Sequence, residues 1–313
     1  MKHSIPITII FLALFLLSHI AGLLFMSASV DAVTSNEVDD TQSIVLKETA
    51  VGDRPTTQGI SSIIMLIIGV GIGTVLLLVI AKFKKKNLWK FWYFLAAWVS
   101  ITIVFGIFAP AIYAWILALL VAFVKIKYRN IFLHNFTEIL MYSGIAILIA
   151  PTLTVWSALL LLFIISIYDY YAVYKSKHMV KLAKFTAKSE LFPGLTINYK
   201  LDGDKTKIVA KSASSGLVGD DVEEKNKVRS GVLGGGDVVF PLLFSCTILL
   251  ALIHSGYSLW VSFWIALIPS ITVAIALGLL FSLGKRNQFY PAMPVVFAGA
   301  LVGYGFVFLV QLI

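Results

Sequence analysis

FWYFLAAWVSITIVFGIFAPAIYAWILALLVAFV, Phe91 to Val124, runs for 34 residues without a formal charge. A single helix of that length measures roughly 51 Å at 1.5 Å per residue, against a bilayer core of about 30 Å. Gly106 and Pro110 offer a break near the middle. Proline lacks the N–H that a continuing helix needs and clashes with the turn before it. The run therefore reads as two short spans, near 91–106 and 110–124, and this reading fixes the span count of the whole chain.

Seven further apolar runs lie near 6–28, 60–81, 131–149, 152–174, 231–252, 257–283 and 289–312. Ala150–Pro151 separates two of them by the same proline argument. The fold class is an all-α polytopic membrane protein with nine transmembrane helices. Composition agrees: 59% of the 313 residues are hydrophobic and 13% are charged, whereas soluble domains carry about a quarter charged residues. The first run, with its apolar core Ile5–Met26, is longer than the roughly 7–15 residues of a signal-peptide core, so a retained anchor is expected. The lone cysteine, Cys246, permits no intrachain disulfide and reads as a small buried residue.

The charges test this map. With the N-terminus in the cytoplasm, only Lys47 and Arg54 fall outside, and the other 23 Lys and Arg fall inside. The first outer loop is acidic, with Asp31, Glu37, Asp39, Asp40, Glu48 and Asp53. This is the bias of cytoplasmic loops toward Lys and Arg. It places the C-terminus outside and explains the net charge of +9 without a nucleic-acid partner. Trp89, Trp92 and Tyr93, at the start of the third span, read as interfacial aromatics. The chain divides into a six-span part (1–174), an inner loop (175–230) and a three-span part (231–313).

Three formal charges remain inside spans: Glu138, Asp169 and Asp237. An ionisable group in a bilayer is costly and faces a partner or a wet cavity. Asp169 comes some 18 residues after Pro151, roughly 27 Å from the outer end of its span, and Asp237 roughly 9 Å from the inner end of the next. Both depths fall in the cytoplasmic third, so adjacent antiparallel helices could bring the carboxyls together. Two carboxylates at one site share a proton. One can then deprotonate water while the other polarises a carbonyl, which is aspartic-protease chemistry and needs no metal or cofactor. Glu138, about 10 Å from the inner end of the fifth span by the same rise, is expected either to tune that pair or to be a hydrogen-bonded structural acid.

Gly234, Gly235 and Gly236 directly precede Asp237. They permit close helix approach, leave room beside the acid and weaken the helix start. Tyr168–Asp169, Gly234–Gly235–Gly236–Asp237 and Pro291–Ala292–Met293 together resemble the presenilin and signal peptide peptidase family of intramembrane aspartyl proteases. That family carries Tyr-Asp in its sixth span, Gly-x-Gly-Asp in its seventh and Pro-Ala-Leu at the start of its ninth. The stretch Tyr174 to Met179 looks like archaeal presenilin homologues. The resemblance implies that Asp169 and Asp237 are catalytic, that Tyr168 and Gly236 shape the site, and that Pro291, Ala292 and Met293 lie beside it. It implies cleavage within transmembrane segments or signal-peptide remnants, in a multi-pass protein of the cell membrane with its active site toward the cytoplasm. Met293 stands where the family has Leu, a volume-conserving change. Pro291 suits a first helical turn. Homo-oligomers and accessory subunits stay open.

In the inner loop, LTINYKL (195–201) alternates as a strand does, and Asp202–Gly203 before KIVAK (207–211) is a hairpin signal. Such a hairpin could hold an unwound substrate by edge pairing, or the segment is a solvated linker. Two other readings remain. A prepilin-type peptidase carries Lys two residues after its Asp, where this chain has Val239. A transporter or cation channel would use the three acids as an ion path, although no internal repeat is visible.

Overall fold

The charge-free run folds as a helix hairpin, broken where proline requires. α3 (Lys86–Phe105) stops before Gly106, and α4 (Ala111–Lys127) starts after Pro110 as its N-cap. The Trp98 indole N–H on α3 donates to the Trp115 carbonyl of α4 at 3.0 Å, pinning the two together. The computed structural model describes residues 5–35, 42–128, 130–175, 192–202, 205–208, 228–284 and 290–312.

Among these residues there are nine α-helices. Besides α3 and α4 they are α1 (Ile5–Ala28), α2 (Ile60–Lys82), α5 (Ile131–Ile149), α6 (Val155–Tyr174), α7 (Gly235–His254), α8 (Leu259–Leu283) and α9 (Met293–Gln311). Eight have the length and apolarity to cross a membrane, and α4, at 17 residues, is the short one. A 3₁₀ turn, Ala150–Thr152, forms the expected break at Pro151. α6 then opens on a capping box in which Thr154 and Ser157 each satisfy the other's backbone N–H.

α7 is the centre of the bundle. It packs against α8, α5, α1 and α6, and Leu242, Phe244, Cys246 and Leu249 on it are fully buried. α9 lies on α8 through Gly299 and Gly303, where backbones touch: a Cβ on Gly303 would stand 2.5 Å from Pro269 Cα. Small residues four apart provide such close approach in membranes. The Tyr304 ring of α9 meets Trp156 of α6 and Phe244 of α7 edge-on, each at 5.9 Å. α2 is peripheral and turns Ile64, Ile68, Ile72 and Val75 outward.

The structure differs from the sequence reading in five places. The first loop holds an antiparallel hairpin, β1 (Val30–Ser35) with β2 (Gln42–Leu46), which the acidic composition concealed. Its two cations have structural work: Lys47 donates to Ile107 O (3.4 Å), and Arg54 donates to Ile147 O (3.4 Å) and Lys47 O (2.7 Å). They thereby meet carbonyls at the ends of α3 and α5. Trp89 and Tyr93 are buried, their rings 5.6 Å apart, and only Trp92 is exposed as an interfacial aromatic should be. α4 continues past Val124, and its Lys125 is buried, drawn inward by an ion pair with Glu138. The fifth difference lies at 231–234, which form strand rather than helix. There β5 (Val228–Gly234) pairs antiparallel with β3 (Gly194–Asp202), and β3 pairs with β4 (Lys205–Ile208), in the order β4-β3-β5. Glycine is a poor helix former, and the extended backbone finds its partners in β3 instead. Of the two expectations for this segment the hairpin is present as β3 and β4, with residues 203–204 and 209–211 outside the described set. Leu195, Ile197 and Tyr199 face the core as the alternation predicts.

Candidate active site

Asp169 sits on α6, five residues before its end, and is 6% exposed. Its Oδ2 accepts the backbone N–H of Met293 at 3.2 Å, and the N–H of Ala292 is directed to the same carboxyl. Met293 is the first residue of α9 and Ala292 its N-cap. The first N–H groups of a helix have no intrahelical partner, and here a carboxyl from another helix meets them. Tyr168, one residue earlier, is half-buried.

Pro291 precedes α9 by two residues, so the proline within the first turn is Pro294 and not Pro291 as predicted. The contact to Asp169 comes from backbone, which makes Met293 and the family's Leu equivalent in this respect.

Asp237 is the third residue of α7 and half-buried. Gly234 is the N-cap, and a Cβ there would stand 3.0 Å from Asp237 Oδ2. The carboxyl thus folds back over the start of its own helix, and any side chain at 234 would press on it. Gly235 donates its N–H to Pro193 O at 3.1 Å, and a Cβ on it would meet the Tyr142 hydroxyl at 3.2 Å. Gly236 is exposed, with only the Phe240 ring 3.6 Å from a built Cβ. Two of the three glycines are therefore tightly surrounded, and the third keeps the face beside Asp237 open.

The helices carrying the two acids pack on one another, and α9 packs on both. Asp169 and Pro291–Ala292–Met293 are brought together directly. Glu138 is not with them: its Oε1 takes the Lys125 ammonium at 2.7 Å and the Tyr93 hydroxyl. All three residues are buried. Glu138 is thus held as one half of a buried ion pair.

These positions bear on a match over most of the chain. Residues 12–313 match the family described as signal-peptide peptidase, presenilin aspartyl protease. The chain belongs to that family. It is an intramembrane aspartyl protease, a hydrolase, acting on transmembrane substrates in a lipid bilayer. The match favours neither the transporter nor the prepilin-type reading.

The fold is that of two solved structures of a presenilin family intramembrane aspartate protease, one in a C222 and one in a P2 crystal form. Each is 15% identical with a TM-score of 0.55. The C222 form covers 97% of this chain and the P2 form 98%, in both cases across 98% of the solved chain. No curated protein sequence matches the chain significantly.

In this protease the sequence reading took Glu138 alone and missed its companions. His134 and Tyr142 stand four residues before and after it on α5 and so share its face. His134 Nε2 donates to Gly194 O at 2.9 Å. Next to it the Asn135 amide pairs both ways with Thr196, donating to its O at 2.8 Å and accepting from its N at 2.9 Å. α5 thereby grips β3, and β3 holds β5, which leads into Asp237. The spacing of three polar residues along an apolar span was the available signal.

Proposed function

We propose that Asp169 and Asp237 form the catalytic pair, sharing one proton. One carboxylate takes a proton from water, and the hydroxide formed attacks the scissile carbonyl. The other carboxyl gives its proton to the carbonyl oxygen. The tetrahedral intermediate then collapses as the amine leaves with a proton. The observation that carries this is the placement of each acid: Asp169 held by the backbone of Met293, and Asp237 in the first turn of the helix packed beside it.

The substrate is a transmembrane segment or signal-peptide remnant, which arrives helical and must be extended to be cut. Among the described residues β5 pairs only with β3, and the other edge of β5 is where an extended substrate would pair. β5 also runs without interruption into α7 and Asp237. The site faces the cytoplasm of a cell-membrane protein whose N-terminus is cytoplasmic and C-terminus external, as supported by the distribution of Lys and Arg. The 1–174 part supplies Asp169, the 231–313 part supplies Asp237 and Pro291–Met293, and the 175–230 loop supplies β3, β4 and the start of β5.

The test is cleavage of a model transmembrane substrate by the purified chain alone, with and without an aspartyl transition-state mimic. Inhibited cleavage supports the reading. Cleavage that persists in Asp237→Asn sinks it. Activity of the chain alone also shows that no accessory subunit is required.

A further inference from the structure

Tyr142 is buried on α5, one turn beyond Glu138. Its hydroxyl stands beside Glu138, yet neither that hydroxyl nor Glu138 Oε2 completes a hydrogen bond. Two adjacent buried polar atoms left unpaired are costly, and each is the partner the other lacks. Glu138 cannot turn away to find another. Its Oε1 is fixed by Lys125 at 2.7 Å and by Tyr93, and the Lys125 ammonium also lies 5.1 Å over the Tyr93 ring. The carboxylate therefore presents Oε2 toward Tyr142 as a constant acceptor.

On its other side the hydroxyl faces Gly235, close enough that a Cβ there would sit 3.2 Å away. Gly235 opens α7 two residues before Asp237, and Tyr142 lies within electrostatic reach of that acid.

We propose that Tyr142 is a positioning residue for Asp237: the Lys125–Glu138–Tyr93 cluster orients its hydroxyl, and the hydroxyl sets the position of the α7 entry turn. The proposal rests on the assignment of Asp237 to the catalytic pair. It gives the α5 stripe a single task. His134 and Asn135 register β3, Gly235 is tied to Pro193 just before β3, and Tyr142 closes the same frame at the first turn of α7. Around Tyr142 stand Glu138 on its own helix, Tyr93 on α3 and Asp237 on α7, and Glu138 in turn faces Lys125 on α4 and His134 on α5. A change at Tyr142 therefore reaches Asp237 both through position and through field.

The experiment is a double-mutant cycle with Tyr142→Phe and Gly235→Ala in the purified full chain, read as kcat, KM, pH–rate profile and thermal midpoint. Asp237→Asn is run alongside as a control on the catalytic assignment. Tyr142→Phe is expected to lower kcat roughly tenfold, within the range for a small misplacement of a reacting group, with KM within about twofold and the pH profile displaced. Gly235→Ala is expected to cost less in the Tyr142→Phe background than alone, because the added methyl no longer meets the hydroxyl. The proposal is overturned if Tyr142→Phe leaves kcat and the pH profile unchanged, if its loss follows a lowered thermal midpoint, or if the two substitutions combine independently. Retained cleavage in Asp237→Asn would instead remove the catalytic assignment, a result separable from the coupling between 142 and 235.

Discussion

The backbone N–H of Met293 reaches 3.2 Å from Asp169 Oδ2, so the first residue of the last helix holds an acid of the sixth. Because the donor is backbone, the side chain at 293 can vary. Met293→Leu is expected to leave kcat within about twofold and stability within roughly 1.5 kcal/mol, changing at most the order of preferred substrates. A tenfold fall in kcat on every substrate would show that the Met293 side chain, and not its N–H, carries the contact.

Asp169→Asn and Asp237→Asn should each lower cleavage by about a thousandfold or more, the scale of lost general acid–base catalysis. Asn keeps the shape of the side chain, so detergent-solubilised protein should elute and melt as the parent does. Cleavage at a tenth of the parent rate in either variant is incompatible with a shared-proton pair.

Turnover is expected to follow a bell against pH. Only the singly protonated pair is active, and it occupies the interval between two macroscopic pKa values that belong to the pair. A chelator should leave the rate unchanged, since both proton transfers are made by carboxyls. A flat profile from acid to alkaline pH, or loss to a chelator with recovery on zinc, would require other chemistry.

The buried pair Lys125–Glu138 gives a stability prediction. Lys125→Met alone leaves an unpaired carboxylate and should cost about 3–5 kcal/mol. Lys125→Met with Glu138→Leu removes both charges and should be more stable than Lys125→Met alone, as measured by denaturant unfolding in mixed micelles. A double variant no more stable than that single one would mean the two charges are not paired.

Gly303→Ala should separate α8 from α9, since the new methyl would lie 2.5 Å from Pro269 Cα. Overpacking of this kind costs roughly 1–3 kcal/mol. Activity should fall with it, because α9 carries the Met293 N–H that holds Asp169. Parent-like melting and cleavage together would show that this contact is not tight.

Much of this was legible in the amino-acid order. Apolar run lengths against a fixed bilayer thickness determine where helices form, and Gly106, Pro110 and Pro151 determine where they stop. The positions of Asp169, Asp237 and Pro291–Met293 along those runs mark the candidate site, and the alternation in LTINYKL marks β3. These are local properties, carried by neighbouring residues and by the solvent they must face. What no local pattern carries is the identity of a distant partner. Glu138 reads as a lone acid until α4 brings Lys125 to it. Three glycines read as one loose helix entry until β3 claims the strand before them and Tyr142 closes on the second. Asp169 reads as half of a pair until the start of α9 also reaches it. Each of these contacts joins residues far apart in the chain, so it exists only once the helices have packed, and the tertiary structure alone decided it.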